Sequence, residues 1–389
     1  MVLILRYYST NGQVSLRKIY VPNRYNRTYI RVIIYLIILT RGIIVELKCI
    51  NISERMKHYN VQGLSITLLE GGKISGTEHY GLLEVESNRR VNEDSIFSAC
   101  SISKFVTGML TMKLVEEGLL ELDNDVNESL ISWKVPENDF TKNKKVTLRN
   151  LLSHQSGIKD PEDSFLELNS KMVVPSMVEL LEGQTPYCKT LISVKCEPES
   201  EFHYSDAGFC IIQQLIEDVT EKPFHQVMNE LIFEPLGMAN SQFNTTMLDV
   251  DRQNFSCGHN KNGELVDGKY PIYPYPAASG LWITSLNLAE LVLELMNAVK
   301  GESKVGISES LAKEMITPQR GKSWTGLGVF LEKSEKELEI TSLGWGAGYQ
   351  CMIVAFPYLE KGAVIMTNAE LGVHQMEGII GEVYKSLLF

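Results

Sequence analysis

Ser101-Ile102-Ser103-Lys104 sits where an apolar segment, Phe97 to Leu110, takes on helical spacing. A serine and a lysine three residues apart lie on the same face of a helix. A serine hydroxyl is a poor nucleophile until a neighbouring base takes its proton. Lysine serves as that base when burial or a nearby cation lowers its pKa. The beginning of a helix adds unpaired N–H groups and a partial positive charge, which favour an oxyanion forming there. The spacing therefore fits acyl transfer through a serine. It also fits a serine near a helix N-cap with a solvated lysine one turn on, so other segments must decide.

Three further segments carry chemistry-bearing residues. In Phe202-His203-Tyr204-Ser205-Asp206-Ala207-Gly208, Tyr204 and Asp206 stand two residues apart on a loop. Both can point into a cleft. A tyrosine whose pKa is lowered by a lysine can pass protons between nucleophile and leaving group; a loop tyrosine packed on the core is the other reading. In Ser342-Leu343-Gly344-Trp345-Gly346-Ala347-Gly348-Tyr349, glycines follow a strand. Glycine lets a substrate backbone lie close, and a backbone N–H there can serve an oxyanion hole. A tight turn between strands fits equally. A phosphate loop does not, because the Lys-Ser/Thr pair and a following helix are both missing. In Val146 to Ile158, His154 lies beside a Ser/Gly turn, where a lone histidine is structural more often than catalytic.

The elements that must position these residues are readable from pattern. Glu46 to Tyr59 fits a helix, and Gly63 to Ile74 reads as a strand, a Gly-Gly turn and a second strand. The Ser101 helix has a natural stop at Gly118. Phe209 to Thr220 has helical periodicity. Trp324 to Leu331, Leu338 to Leu343, Tyr349 to Phe356 and Ala363 to Thr367 read as strands. Strands first and last with helices between predict an α/β (α+β) architecture: a mostly antiparallel sheet from both chain ends, flanked by helices, with an inserted all-helical domain. The expected division is a leader at 1–45, a sheet domain from 46–120 and 281–389, and a helical domain at 121–280.

Composition narrows the function classes. At 389 residues, with 44% apolar and 22% charged content, the chain matches an ordinary globular enzyme. A net charge of −11 argues against nucleic acid as a partner. The charge is uneven: residues 1–45 hold Arg6, Arg17, Lys18, Arg24, Arg27, Arg31 and Arg41 and no acid. That basic leader precedes the short apolar run Val32–Leu39, so residues 29–47 fit a membrane anchor or signal. A non-native extension or an extra strand are the alternatives. Membrane-anchored or extracytoplasmic placement follows from the first reading and cytoplasmic placement from the others. Seven cysteines show no metal-type spacing; Cys188 and Cys196 are close enough to bridge, but free thiols are the simpler reading. No metal and no cofactor are expected.

Together the segments resemble the serine β-lactamase and penicillin-binding-protein superfamily, in the branch of class C β-lactamases, D-Ala-D-Ala carboxypeptidases and related esterases. The resemblance runs from about residue 46 to the C-terminus. It rests on Ser101–Lys104, on Leu151–Ile158, on the Y-S-N-like triplet Tyr204–Asp206 and on Glu234–Met238. It rests also on Ala277–Ser285 and on the glycine turn ending at Tyr349. The resemblance implies Ser101 as nucleophile, Lys104 as its base, Tyr204 as proton shuttle, and an oxyanion hole from the backbone N–H groups of Ser101 and Trp345. Gly344 and Ser342 would lie on the substrate side. Small-molecule or peptidoglycan-derived substrates, including β-lactams, are the implied partners.

Two positions depart from the family pattern. Asp206 replaces an asparagine; a carboxylate cannot donate a hydrogen bond, and it tends to keep Lys104 protonated. A cationic Lys104 is then expected to lower the Tyr204 pKa and favour Tyr204 as the base. Ser342 stands where the family has Lys or His, so recognition of a substrate carboxylate should weaken, unless Arg320 or Lys322 substitutes. The leading expectation is a serine acyl hydrolase acting on D-amino-acid peptide, ester or β-lactam bonds. A small-molecule esterase or amidase of the same fold, or a silent cell-wall-binding relative, are the alternatives.

Overall fold

A computed structural model describes residues 2–8, 14–20, 50–167, 173–243, 254–333 and 337–387. The chain forms two compact units, residues 1–47 and a body spanning Lys48–Leu387. In the first, β1 (Val2–Tyr8) and β2 (Val14–Tyr20) pair antiparallel, with Val2 opposite Tyr20. The segment 29–47 lies outside the described residues. Among the described residues no helix is long and apolar enough to cross a membrane.

The body begins with α1 (Ile52–His58), β3 (Gly63–Glu70) and β4 (Lys73–Gly81), followed by the short strand β5 (Phe97–Ser98). The nucleophile candidate follows in a 3-10 turn, Cys100–Ile102, which leads into α2 (Ser103–Glu116). Further on come α3 (Asp206–Thr220), β6 (Ser241–Phe243), β7 (Leu281–Ile283), α4 (Ser285–Val299) and α5 (Glu309–Met315). The chain closes with β8 (Phe330–Lys333), β9 (Leu338–Gly346), β10 (Tyr349–Phe356), β11 (Lys361–Thr367) and α6 (Ile379–Ser386).

The main sheet is antiparallel throughout, in the order β4-β3-β11-β10-β9-β8. Strands from both ends of the chain therefore build it, as the hairpin and the late apolar runs imply. β3, β10 and β11 are buried almost end to end, which is why they read as continuous apolar runs rather than alternating ones. β4, at the edge, alternates exposed and half-buried positions. The Gly71-Gly72 turn has φ of 60° and 69°, both left-handed, which glycine adopts without cost and which matches the twist of a two-residue hairpin. A second, three-stranded sheet has the order β5-β7-β6.

The helix behind the candidate nucleophile is buried around its circumference, including Phe105, Val106, Met109, Leu110, Met112 and Leu114. A helix apolar on all sides belongs in a core. Its polar members are satisfied there: Thr107 Oγ1 donates to the Ala277 carbonyl at 2.9 Å.

The structure differs from the pattern at 324–331. Only Phe330 onward is strand, and 324–329 is a turn. Gly328 takes a left-handed φ of 77°, and Leu327 packs into the core against α2. The turn closes through Leu331 N–H to the Trp324 carbonyl and Gly326 N–H to the Val329 carbonyl, both 2.9 Å. The 121–280 region is also not purely helical, since β6 pairs with β7.

Candidate active site

Ser101 is placed by a sharp turn. Cys100 adopts a left-handed φ of 48°, a conformation that a residue with a Cβ holds only when its surroundings enforce it. Those surroundings are visible. Ser103 Oγ donates to the Cys100 carbonyl at 2.6 Å and accepts from Leu281 N–H at 3.0 Å. Cys351 Sγ reaches the Ala99 carbonyl at 3.2 Å. The turn is therefore pinned to both sheets.

Lys104 follows one turn later and is only 2% exposed. Its Nζ donates to Ser101 Oγ at 3.3 Å and to the Ala278 carbonyl at 2.9 Å, and pairs with Asp206 Oδ1 at 2.5 Å. It lies 4.8 Å from the centre of the Tyr204 ring. The Tyr204 hydroxyl is within hydrogen-bonding reach of both Lys104 and Ser101. Tyr204 is 41% exposed as a residue. Four residues singled out in the sequence thus converge: Ser101, Lys104, Tyr204 and Asp206.

The electrostatics of the group follow from burial and one ion pair. Burial lowers the Lys104 pKa, but the Asp206 carboxylate, with Tyr204 behind it, outweighs that and leaves the lysine above its ordinary range. Tyr204 is also raised. The cationic lysine does act downward on it, as expected, but burial comes first, and Asp206 adds to burial. The expectation of an acidified tyrosine is corrected accordingly: the resting group holds a charged Lys104 and a neutral Tyr204.

A supporting layer holds the Tyr204–Asp206 loop. Asp160 accepts from Ser205 Oγ at 2.7 Å, from Asp206 N–H at 2.8 Å and from Ala207 N–H at 3.1 Å, completing the N-terminus of α3 that Ser205 caps. Burial and the nearby Asp206 raise the Asp160 pKa. His154, buried at φ 59°, accepts Ser205 N–H on Nδ1 at 3.1 Å and lies against the Tyr204 ring with centroids 4.4 Å apart. Burial, helped by the Lys104 charge, lowers its pKa to about 3. A neutral histidine that accepts a backbone bond and lies against the Tyr204 ring supports this loop.

The strand β9 forms the opposite wall. A Cβ on Gly344 would collide with the Ala99 carbonyl and Cys351 Sγ, and one on Gly346 would collide with Tyr273 Oη and Cys100 Sγ. These two glycines therefore lie within the strand and admit the turn that carries Ser101. Ser342 is buried and shares the inward face with Gly344 by the two-residue period of a strand. Trp345 is 41% exposed, and its Nε1 donates to Glu370 at 3.3 Å. Arg320 is engaged elsewhere, with Asp123 at 2.7 Å and Glu199 at 3.0 Å.

One group of metal-type donors exists among the described residues. Cys196, Glu201 and His203 bring ligand atoms within 4.8 Å of one another. The Glu201 carboxylate is occupied, by His203 Nε2 at 2.6 Å and by the Lys159 ammonium at 3.3 Å, and that cation opposes a second one. Cys188 and Cys196 are free thiols, and Cys49 lies outside the described residues. Residues that sequence reasoning did not single out are Asp160, the Ala278 carbonyl, and the rings of Phe202, Trp324 and Phe330. Asp160, Phe202 and Trp324 lie on loops, Ala278 in the short helix Pro276–Ser279 and Phe330 at the start of β8, so no periodic pattern marks them as a group.

The family model for beta-lactamase matches residues 51–379. Protein flp of Staphylococcus aureus (strain NCTC 8325 / PS 47) is 24% identical over 236 residues, 60% of this chain and 43% of that protein. The teichoic acid D-alanine hydrolase of Staphylococcus aureus (strain MRSA252) is 23% identical over 233 residues, 59% of this chain and 53% of that one. The chain thus spans about half the length of the curated relatives it matches. The D-amino acid amidase of Ochrobactrum anthropi SV3 superposes with a TM-score of 0.68 at 18% identity, covering 88% of this chain and 98% of that one. The chain belongs to the beta-lactamase family.

Proposed function

We propose that this protein is a serine hydrolase that forms an acyl-enzyme on Ser101 and acts on D-amino-acid esters or amides derived from the cell wall. The observation that carries the reading is the convergence of Ser101, Lys104 and Tyr204 around one buried ammonium. In the neutral form of Lys104, Nζ takes the Ser101 proton while Oγ bonds to the substrate carbonyl carbon. The backbone N–H groups of Ser101 and Trp345 receive the oxyanion; one such donor is worth about 3 kcal/mol to a transition state. The proton then moves from Nζ through the Tyr204 hydroxyl to the leaving oxygen or nitrogen as its bond to carbon breaks. Water later releases the acyl group. The D-alanine and D-amino-acid substrates named for two relatives support the substrate class.

A second reading, a small-molecule esterase or amidase, is favoured by Ser342. A neutral hydroxyl at that wall holds a substrate carboxylate less well than a cation does, and Arg320 is committed to Asp123 and Glu199. Intact-protein mass spectrometry tests both. A fluorophosphonate is expected to add to the native protein and not to Ser101→Ala. A penicillin adduct under the same conditions favours the cell-wall reading, and fluorophosphonate labelling with neither penicillin adduct nor penicillin hydrolysis favours the esterase. No label from any acyl probe removes Ser101 as nucleophile.

A further inference from the structure

We propose that Phe202, Trp324 and Phe330 form a binding subsite for an uncharged aromatic or bulky alkyl leaving group; the proposal rests on the roles given above to Ser101 and Tyr204. The three rings make a continuous cluster with Tyr204. Phe202 meets Trp324 edge-on at 4.3 Å, Trp324 stacks towards Phe330 at 6.5 Å, and Phe330 stacks towards the Tyr204 ring at 6.4 Å. None of the four belongs to the hydrophobic core. Trp324 and Tyr204 are each 41% exposed. Single exposed rings are ordinary, but contiguous rings on a surface beside a reaction centre mark a place where apolar ligand surface is buried.

Position selects the occupant. A general acid must stand within hydrogen-bond reach of the atom it protonates. With Tyr204 protonating the leaving atom, whatever the substrate carries beyond that atom runs past the Tyr204 ring and meets Phe330 and Trp324. The wall is already braced for a partner. Phe202 packs edge-on against the buried His154 at 5.6 Å, and Trp324 is held by its carbonyl, which accepts Leu331 N–H at 2.9 Å. Fixed rings lose little freedom on binding and offer faces and edges to another ring. Lys104 Nζ lies 4.8 Å from the centre of the Tyr204 ring, and the ring contacts of Phe202, Trp324 and Phe330 are with aromatic side chains. The chemistry is therefore that of an ester or amide whose departing alcohol or amine is apolar.

The test compares acetate esters of ethanol and 2-naphthylmethanol on the full chain. The native protein is expected to prefer the naphthylmethyl ester in kcat/KM. Trp324→Ala should reduce that preference about tenfold, the usual scale for losing a few apolar groups from a pocket. Trp324→Phe should restore most of it, and Phe330→Leu should reduce it independently of any effect on folding at Trp324. An unchanged preference in Trp324→Ala and Phe330→Leu overturns the subsite. So does fluorophosphonate labelling of Ser101 without hydrolysis of either ester. Failure of the native protein to be labelled on Ser101 instead removes the role of Ser101, and the subsite falls with it.

Discussion

At the scale of single residues, the Lys104–Asp206 pair decides how this site works. The lysine is buried, yet its neighbour carboxylate 2.5 Å away keeps it charged. On the mechanism proposed above, the neutral amine that activates Ser101 is the minor form near neutrality, so kcat/KM of the native protein should climb with pH into the alkaline range. Asp206→Asn removes the influence that raises the Lys104 pKa and leaves the burial that lowers it. The limb governed by the neutral lysine should then move to lower pH by about one unit or more, read from kcat/KM profiles of native and variant protein. A limb that stays in place would show that Lys104 is not the base. The sequence made the identity of these two residues legible and their consequence only partly so. An aspartate beside the lysine announces a charged lysine. Whether that charge acidifies Tyr204 depends on how deeply the phenol is enclosed, and burial is set by packing from distant segments.

At the scale of elements, the site depends on how closely β9 approaches the turn at Cys100–Ile102. Gly344 has no room for a Cβ against the Ala99 carbonyl and Cys351 Sγ. Gly344→Ala should therefore push strand and turn apart. We expect a loss of roughly 1–3 kcal/mol in stability, seen as a lower Tm, with slower labelling of Ser101. Unchanged Tm together with unchanged labelling would show that the contact relaxes freely. Continuous apolar runs and a Gly-Gly turn made the hairpin and the late strands legible. The glycines of 342–349 were legible as a close approach but not as an approach to the protein's own backbone. Trp324–Leu331 reads as a strand by composition. Its core-packed Leu327 and left-handed Gly328 convert most of it to a turn, a tertiary effect that a local pattern does not carry.

At the scale of the whole molecule, residues remote in sequence make one constellation. Ser101 leans on a strand that begins at Leu338, and Lys104 is held by the carbonyl of Ala278 and the carboxylate of Asp206. The fold class was readable because both chain ends carry strand patterns and the middle carries helical ones. The aromatic wall was not, because Phe202 meets Trp324 and Phe330 from a loop more than a hundred residues away in sequence. The place of β11 has a kinetic consequence. It inserts between β3 and β10, so Leu64 faces Thr367 and Glu70 faces Lys361. The β3–β4 hairpin must wait for β11, the last strand among the described residues, before the sheet is continuous, and pairings so distant form slowly. On refolding from denaturant, helical signal should therefore return before Ser101 becomes reactive, and fluorophosphonate labelling should lag behind far-ultraviolet circular dichroism. The nucleophile would then report completion of the sheet, and a newly made chain would stay chemically silent until its C-terminal strands had docked.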